Sequence, residues 1–133
     1  MSWLLDVNVI LASRWRSHPE HASVKAWLES VDRFHTCPIT ELGFVRVSMN
    51  PAYGASWDET QAALRKLRSR SGFCFLPDDV DGTAAPESTW KKTTDAHLIA
   101  LAARHQLQLA TLDMELVSES WAAGIAVNPL ADL

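Results

Sequence analysis

The sequence predicts an α/β fold in which helices flank a mainly parallel central sheet. Short apolar runs without polar alternation recur along the chain, as is typical of strands that are buried on both faces. Longer segments with helical spacing separate these runs, and strands that alternate with helices form parallel sheets. With 133 residues, 47% of them hydrophobic, the chain can bury a core, so we expect a single domain over residues 1–133.

The first half of the chain is expected to hold two strands and four helices. They are a strand over 3–7, helices over 9–15 and 19–29, a strand over 33–37, a helix over 40–49 and a helix over 56–70. Pro19 suits the first turn of a helix, because its nitrogen has no proton to leave unpaired. Thr40 is a favoured N-cap residue. Ser56, followed three residues later by Glu59, has the spacing of a capping box.

The second half of the chain is expected to hold three further strands. Its elements are a strand over 73–76, a loop over 77–88, a helix that Asp95 opens, a strand over 107–110, a short helix over 114–121 and an edge strand over 124–127. Pro and Gly punctuate the loop, and Pro129 ends the last strand.

Composition and charge limit the classes of function that the chain can have. The chain carries 12 Lys and Arg against 16 Asp and Glu, for a net charge of −4, whereas proteins that bind nucleic acid by general electrostatics are usually basic. An acidic chain that acts on nucleic acid needs another source of positive charge, and a bound cation would supply it. Its first residues have no basic segment, and no apolar stretch approaches the roughly 18 residues of a membrane span.

The cysteines and histidines do not predict a metal site. Cys37 and Cys74 form no CxxC pair, and both are expected to be buried, reduced thiols of a cytosolic protein. His18 and His21 have a metal-ligand spacing but lack a third ligand nearby, so they are expected to be exposed loop residues.

Four carboxylates lie at junctions between strands and helices. Asp6 ends the first strand, Glu41 opens the helix after the second, and Asp95 and Asp113 precede and follow the fourth. Each alone is explained as a helix cap or a first-turn acid. The carboxyl ends of parallel strands share one edge of a sheet, however, and clustered carboxylates suit hard cations such as Mg²⁺ or Mn²⁺.

Three stretches resemble the PIN-domain ribonucleases of the VapC toxin type. They are LLDVNVILA, TCPITELGFVRVSMNP and TTDAHLIALAARHQLQLATLD, which occur in the family's order and spacing over nearly the whole chain. The resemblance implies a three-layer α/β/α sandwich around a sheet of about five strands. The segment 77–92 departs from the family pattern, where a family helix is short or lost.

The resemblance also implies a site and its chemistry. It assigns an acidic quartet, with Asp6 and Asp113 as central metal ligands and Glu41 and Asp95 as ligands or orienting groups for water. It adds Asn8 and Thr111 as polar neighbours. The expected cofactor is Mg²⁺, with Mn²⁺ as a substitute, and the expected reaction is hydrolysis of RNA phosphodiester bonds.

The resulting prediction is a metal-dependent endoribonuclease that acts as the toxin of a toxin–antitoxin pair. The resemblance implies an RNA substrate, a VapB-like antitoxin that wraps the protein and covers the acidic site, a homodimer, and a cytoplasmic location without a membrane anchor. A housekeeping PIN nuclease in RNA maturation is an alternative. A non-catalytic binding module with the same fold is another, for which a missing acid would be the sign, and none of the four is missing.

Two sets of side chains each allow two interpretations. The tryptophans beside polar residues predict either a partner surface or scattered, half-buried side chains; they are Trp15, Trp57, Trp90 and Trp121. The basic residues near the end of the fourth helix predict either an RNA path or a solvated helix face; they are Arg65, Lys66, Arg68 and Arg70, with Lys91 and Lys92.

Overall fold

A computed structural model describes residues 2–131 and shows a five-stranded parallel sheet between two helical layers. The elements are β1 (Ser2–Leu5), α1 (Val7–Arg14), α2 (His21–Ser30), β2 (Arg33–Thr36), α3 (Pro38–Met49), α4 (Trp57–Arg68), β3 (Phe73–Phe75), α5 (Thr93–Arg104), β4 (Gln108–Ala110), α6 (Met114–Ser118), a 3₁₀ turn (Ser120–Ala122) and β5 (Ala126–Val127). The predicted fold class is confirmed. Residues 1, 132 and 133 of the predicted domain lie outside the described part.

The sheet has the strand order β3-β2-β1-β4-β5, and every neighbouring pair is parallel. The chain moves outward from β1 to β3 on one side and then crosses to β4 and β5 on the other. The direction of winding therefore reverses between β1 and β4, which places a crevice at their carboxyl ends.

Two hydrophobic clusters hold the layers together, one on each face of the sheet. Successive residues of a strand point to opposite faces. In β1, Trp3 and Leu5 accordingly join the cluster formed with α1 to α4, whereas Leu4 joins the cluster formed with α5 and α6. Because β1 is buried on both faces, its three buried residues, Trp3, Leu4 and Leu5, are all apolar.

The third helix begins earlier than predicted. It starts at Pro38, with Cys37 as its N-cap, so the prediction that Thr40 is the cap is wrong. Proline is compatible with the end of a strand, but it suits the first position of a helix equally well. Thr40 Oγ1 instead accepts a hydrogen bond from the Cys37 backbone nitrogen at 3.1 Å. In α4, the capping box between Ser56 and Glu59 is present as predicted.

Several predictions about single side chains are wrong. Cys37 is buried, but Cys74 is exposed because β3 is an edge strand. His18 and His21 are half-buried, and His21 Nδ1 donates to the Ala12 carbonyl at 2.7 Å.

Within residues 2–131, no helix is long and apolar enough to cross a membrane.

The four tryptophans in question do not share one surface. Trp15 stacks on Phe44 and its indole nitrogen donates to Ser48 Oγ at 2.7 Å, and Trp121 packs against the second hydrophobic cluster. Of the four, only Trp57 and Trp90 are largely exposed, at 58% and 82%. Scattered side chains are therefore the better interpretation.

The segment 77–92 forms no helix or strand. Its acidic residues fasten it to α5: Asp78 Oδ2 lies 2.8 Å from His97 Nε2, and Asp79 Oδ1 lies 2.9 Å from His105 Nε2. Arg104 Nε adds a hydrogen bond of 3.2 Å to Asp79.

Candidate active site

Asp6 lies at the crevice where the sheet reverses its winding direction. It directly follows β1, and its backbone nitrogen donates to the Ala110 carbonyl of β4 at 2.9 Å. Its carboxylate caps α1 by accepting from the Val7 nitrogen at 2.8 Å, and the residue is only 7% exposed. The cap role and the crevice position are thus combined in one side chain.

Thr111 links this carboxylate to the end of β4. Its hydroxyl donates to Asp6 Oδ2 at 2.8 Å, and accepts from Asn8 Nδ2 at 3.2 Å and from the Asp113 backbone nitrogen at 3.1 Å. A hydroxyl offers one proton and two lone pairs, so its hydrogen-bonding capacity is fully used. Asn8 Oδ1 also accepts from the Leu112 nitrogen at 3.1 Å.

Asp113 is the N-cap of α6. Its Oδ1 accepts from the backbone nitrogens of Glu115 at 3.0 Å and Leu116 at 3.3 Å. These bonds fix the side chain through one oxygen and leave Oδ2 without a hydrogen bond among the described residues.

Asp95 lies in the first turn of α5 and is half-buried. Burial, together with the nearby negative charges of Asp6 and Asp113, raises the pKa of Asp95 to about 6, and Lys92 partly opposes this rise. Within residues 2–131, no group donates a hydrogen bond to the Asp95 carboxylate. Burial, followed by the charge of Asp113, likewise raises the pKa of Asp6, although hydrogen bonds from Thr111 and Val7 act against it.

The Glu41 carboxylate is bound by partners other than these three aspartates. Its Oε2 accepts from Arg68 Nη1 at 2.6 Å and from Thr36 Oγ1 at 2.5 Å. The Arg68 guanidinium also lies over the rings of Phe73 and Phe75, 5.1 and 4.9 Å from their centres. The structure therefore brings Asp6, Asp95 and Asp113 within electrostatic reach of one another and ion-pairs Glu41.

Two features beside the crevice cannot be predicted from neighbouring residues in the sequence. A cavity of about 650 Å³ adjoins it, and its lining includes Asn8, His18 and Asp113. Lys92 Nζ lies 3.0 Å from Glu119 and 3.6 Å from Glu115, and the hydrogen bond to Glu119 raises the pKa of Lys92. These partners are far apart in the chain, so only the folded chain reveals them.

The donor set of the crevice fits a hard divalent cation. Three carboxylates repel one another, and no described residue gives Asp95 a hydrogen bond that would stabilise its charged form, so a cation would relieve both costs. Within residues 2–131, no three His, Cys, Asp or Glu side chains are close enough to form a complete metal site as they stand.

Comparison with known proteins assigns the family. A family model described as PIN domain matches residues 3–118. This chain belongs to the PIN-domain family. The PIN domain described here is 40% identical to Ribonuclease VapC38 of Mycobacterium tuberculosis (strain ATCC 25618 / H37Rv) over 120 residues, which cover 83% of this chain and 84% of that protein. It is 39% identical to Ribonuclease VapC39 of Mycobacterium tuberculosis (strain CDC 1551 / Oshkosh) over 136 residues, which cover 94% and 97%.

A solved structure agrees on the fold of this PIN domain. The crystal structure of Mycobacterium tuberculosis VapC20, described as a sarcin-ricin loop cleaving toxin, aligns with a TM-score of 0.64 over 84% of this chain and 89% of that one. The two sequences are 12% identical, so this likeness concerns the fold alone. The VapC-type resemblance predicted from the sequence is confirmed by the two ribonuclease relatives.

Proposed function

We propose that this PIN domain is a divalent-metal-dependent endoribonuclease that hydrolyses RNA phosphodiester bonds as the toxin of a toxin–antitoxin pair. Its relatives VapC38 and VapC39 are named ribonucleases. The observation that carries the proposal is the group of three aspartates at the switch point of the sheet, one of them with a pKa of about 6.

The aspartates are proposed as the metal ligands, with Mg²⁺ as the cofactor and Mn²⁺ as a substitute. Asp6 and Asp113 are already oriented by helix-capping hydrogen bonds, and no described residue donates a hydrogen bond to the Asp95 carboxylate. When bound, the cation would act as a Lewis acid and lower the pKa of an attacking water. Thr111 and Asn8 position Asp6 and the Leu112–Asp113 backbone.

Glu41 is proposed as the fourth acid of the site. Its ion pair with Arg68 holds the carboxylate in one orientation at the start of α3. In that orientation Glu41 is a candidate to hold a water molecule for attack. The cytoplasm, where cellular RNA is found, is the proposed location.

The proposed function is tested with Asp6→Asn. The change removes a charge but keeps the shape and one acceptor oxygen, so RNA cleavage is expected to be lost while the thermal midpoint stays near or above that of the parent chain. Cleavage is measured on total RNA with Mg²⁺ or Mn²⁺. The control is Glu87→Gln, an exposed acid in the 77–92 segment, which should cleave normally. Full activity of the Asp6→Asn variant would contradict the proposal.

The toxin role, with a VapB-like antitoxin and a homodimer, is part of the same proposal. Induced expression should arrest growth, and Asp6→Asn should relieve the arrest. Normal growth with active cleavage in vitro would favour a housekeeping nuclease instead. Sedimentation of the purified chain, alone and with the product of the neighbouring short reading frame, measures both assemblies.

A further inference from the structure

A second cavity, of about 430 Å³, lies between α1, α2 and α4 and is strongly basic. Five of the twelve Lys and Arg residues of the chain line it, although the net charge of the chain is −4. They are Arg14, Arg16, Lys25, Lys66 and Arg70. Among the described residues, Glu29 is the one acid in the lining and Ala63 is the one apolar side chain.

Among the described residues, three of the seven other Lys and Arg residues of the chain have carboxylate partners, and these five cations have none. Arg68, Lys92 and Arg104 all form ion pairs with carboxylates. None of the five cavity cations does so with any residue between 2 and 131. Burial and the positive charge of Arg70 both lower the pKa of Arg14, so the two guanidinium groups repel each other. A bound anion would relieve this repulsion.

The cavity and the aspartate site lie toward opposite ends of one helix. Asp6 caps the start of α1, and Arg14 is its last residue. A helix rises 1.5 Å per residue, so the eight residues of α1 span about 12 Å. A polymer whose phosphates recur along its backbone can reach both places at once.

The chemistry of the lining favours phosphate over a peptide. Arginine presents a planar fork of N–H groups that matches two phosphate oxygens, and lysine adds a mobile point charge. A protein segment that docks in a groove is usually anchored by apolar side chains, and in the described part of the chain this cavity offers only Ala63 as an apolar wall.

We propose that the cavity between α1, α2 and α4 binds a backbone phosphate of RNA away from the scissile bond. This inference rests on the proposed ribonuclease function, and it adds a second point of attachment for the same substrate. The acidic crevice alone repels RNA until a cation is bound, so a separate basic anchor gives the polyanion a place to attach first.

The test is a binding measurement that does not depend on cleavage. A fluorescent single-stranded RNA is titrated with the full chain carrying Asp6→Asn, at several salt concentrations. The cavity variant adds Arg16→Gln and Lys66→Gln, both at exposed positions where the fold is not at risk. The matched control adds Arg33→Gln and Arg46→Gln, which remove the same charge at exposed positions outside the cavity.

The cavity variant is expected to bind RNA more weakly and with a smaller salt dependence. For single strands, the slope of log K against log salt becomes shallower by about 0.7 for each phosphate that the protein no longer neutralises. The control pair should keep the parent slope. Equal reductions of the slope in both variants, or an unchanged slope in the cavity variant, would overturn the proposal.

Two further arms separate this inference from its alternatives. If the cavity variant binds RNA normally but loses affinity for a polyglutamate peptide, the occupant is an acidic protein segment and the proposal is wrong. In the chain with Asp6 intact, the cavity variant should cleave a short RNA that cannot reach the cavity at the parental rate, and a long RNA with a raised KM. Absence of any cleavage by the parent chain itself would contradict the proposed function, while the binding test would still decide the cavity.

Discussion

The hydroxyl of Thr111 explains how two acidic side chains remain side by side. It bonds the Asp6 carboxylate and the Asp113 backbone at the same time, at 2.8 and 3.1 Å. Hydrogen bonds from Thr111 and Val7 partly oppose the rise in the pKa of Asp6, whereas no described residue donates a hydrogen bond to Asp95, whose pKa rises to about 6, chiefly through burial. Burial and charge repulsion in the site therefore act on both Asp6 and Asp95, and Asp95 lacks a hydrogen bond from the described residues that would oppose them.

The raised pKa of Asp95 predicts a pH dependence of stability in the metal-free chain. Its folded-state pKa of about 6 lies above the ordinary value of 3.8, so between these values the folded state holds a proton that the unfolded state has released. The stability associated with the protonated carboxyl is fully present below about pH 4, and the contribution of Asp95 to the free energy of unfolding should fall as pH rises from there to about 7.

Thermal midpoints measured across this pH range in a chelating buffer check the prediction. Asp95→Asn should flatten the fall and raise the midpoint at neutral pH, although Asp6, whose pKa is also raised, should leave part of it. The exposed Asp32→Asn is the control and should follow the parent curve. If Asp95→Asn were no more stable than the parent at neutral pH, the burial and charge repulsion of the Asp95 carboxylate would not be destabilising the folded chain, and the prediction would be wrong.

The candidate site residues can be chosen from the sequence because acids at strand ends and helix starts are local features. Asp6 and Asp113 do cap helices, and the same geometry points them at the crevice. The ion pair between Glu41 and Arg68 cannot be foreseen, since the two residues are 27 positions apart and on different helices.

At the scale of helices, the close approach of α1 and α3 depends on Gly43. A Cβ atom at this position would lie 2.6 Å from Val7 Cγ2, far inside a normal contact. Val7 is β-branched and stiff in a helix, so it cannot easily turn away. Because Val7 directly follows Asp6, this packing also fixes the start of the helix that carries the site.

Gly43→Ala is therefore expected to destabilise the chain, by roughly 1–3 kcal/mol, as overpacked substitutions do. Alanine would otherwise stabilise a helix by about 1 kcal/mol over glycine, so the sign of the change decides whether the packing is tight. Denaturant unfolding provides the measurement. The double variant with Val7→Ala should recover part of the stability, because the two changes act on the same pair of side chains. A stabilised Gly43→Ala would contradict this packing.

Helix and strand types can be predicted from the sequence more readily than their ends and exposure. The predicted start of α3 is wrong because Pro38 is compatible with both the end of a strand and the first turn of a helix. The apolar neighbours of Cys74 predict a buried thiol. Its exposure follows from the position of β3 at the sheet edge, which only the strand order reveals.

At the scale of the whole molecule, acidic and basic residues are concentrated in different places. Acids gather at the crevice, and five cations without an ion-pair partner among residues 2–131 gather at the cavity near the far end of α1. The sequence shows only the net charge of −4, because the cavity residues come from three separate helical segments. Folding thus creates a positively charged cavity in a chain whose net charge is negative.

A divalent-cation site formed by Asp6, Asp95 and Asp113 is central to the proposed function. Its most direct test is a titration of the metal-free chain with Mn²⁺ near neutral pH, in which the free ion is followed by electron paramagnetic resonance. The parent chain and Glu87→Gln should bind alike, whereas Asp6→Asn, Asp95→Asn and Asp113→Asn should each weaken binding by about tenfold or more. Parental Mn²⁺ affinity in all three aspartate variants would contradict the existence of this site.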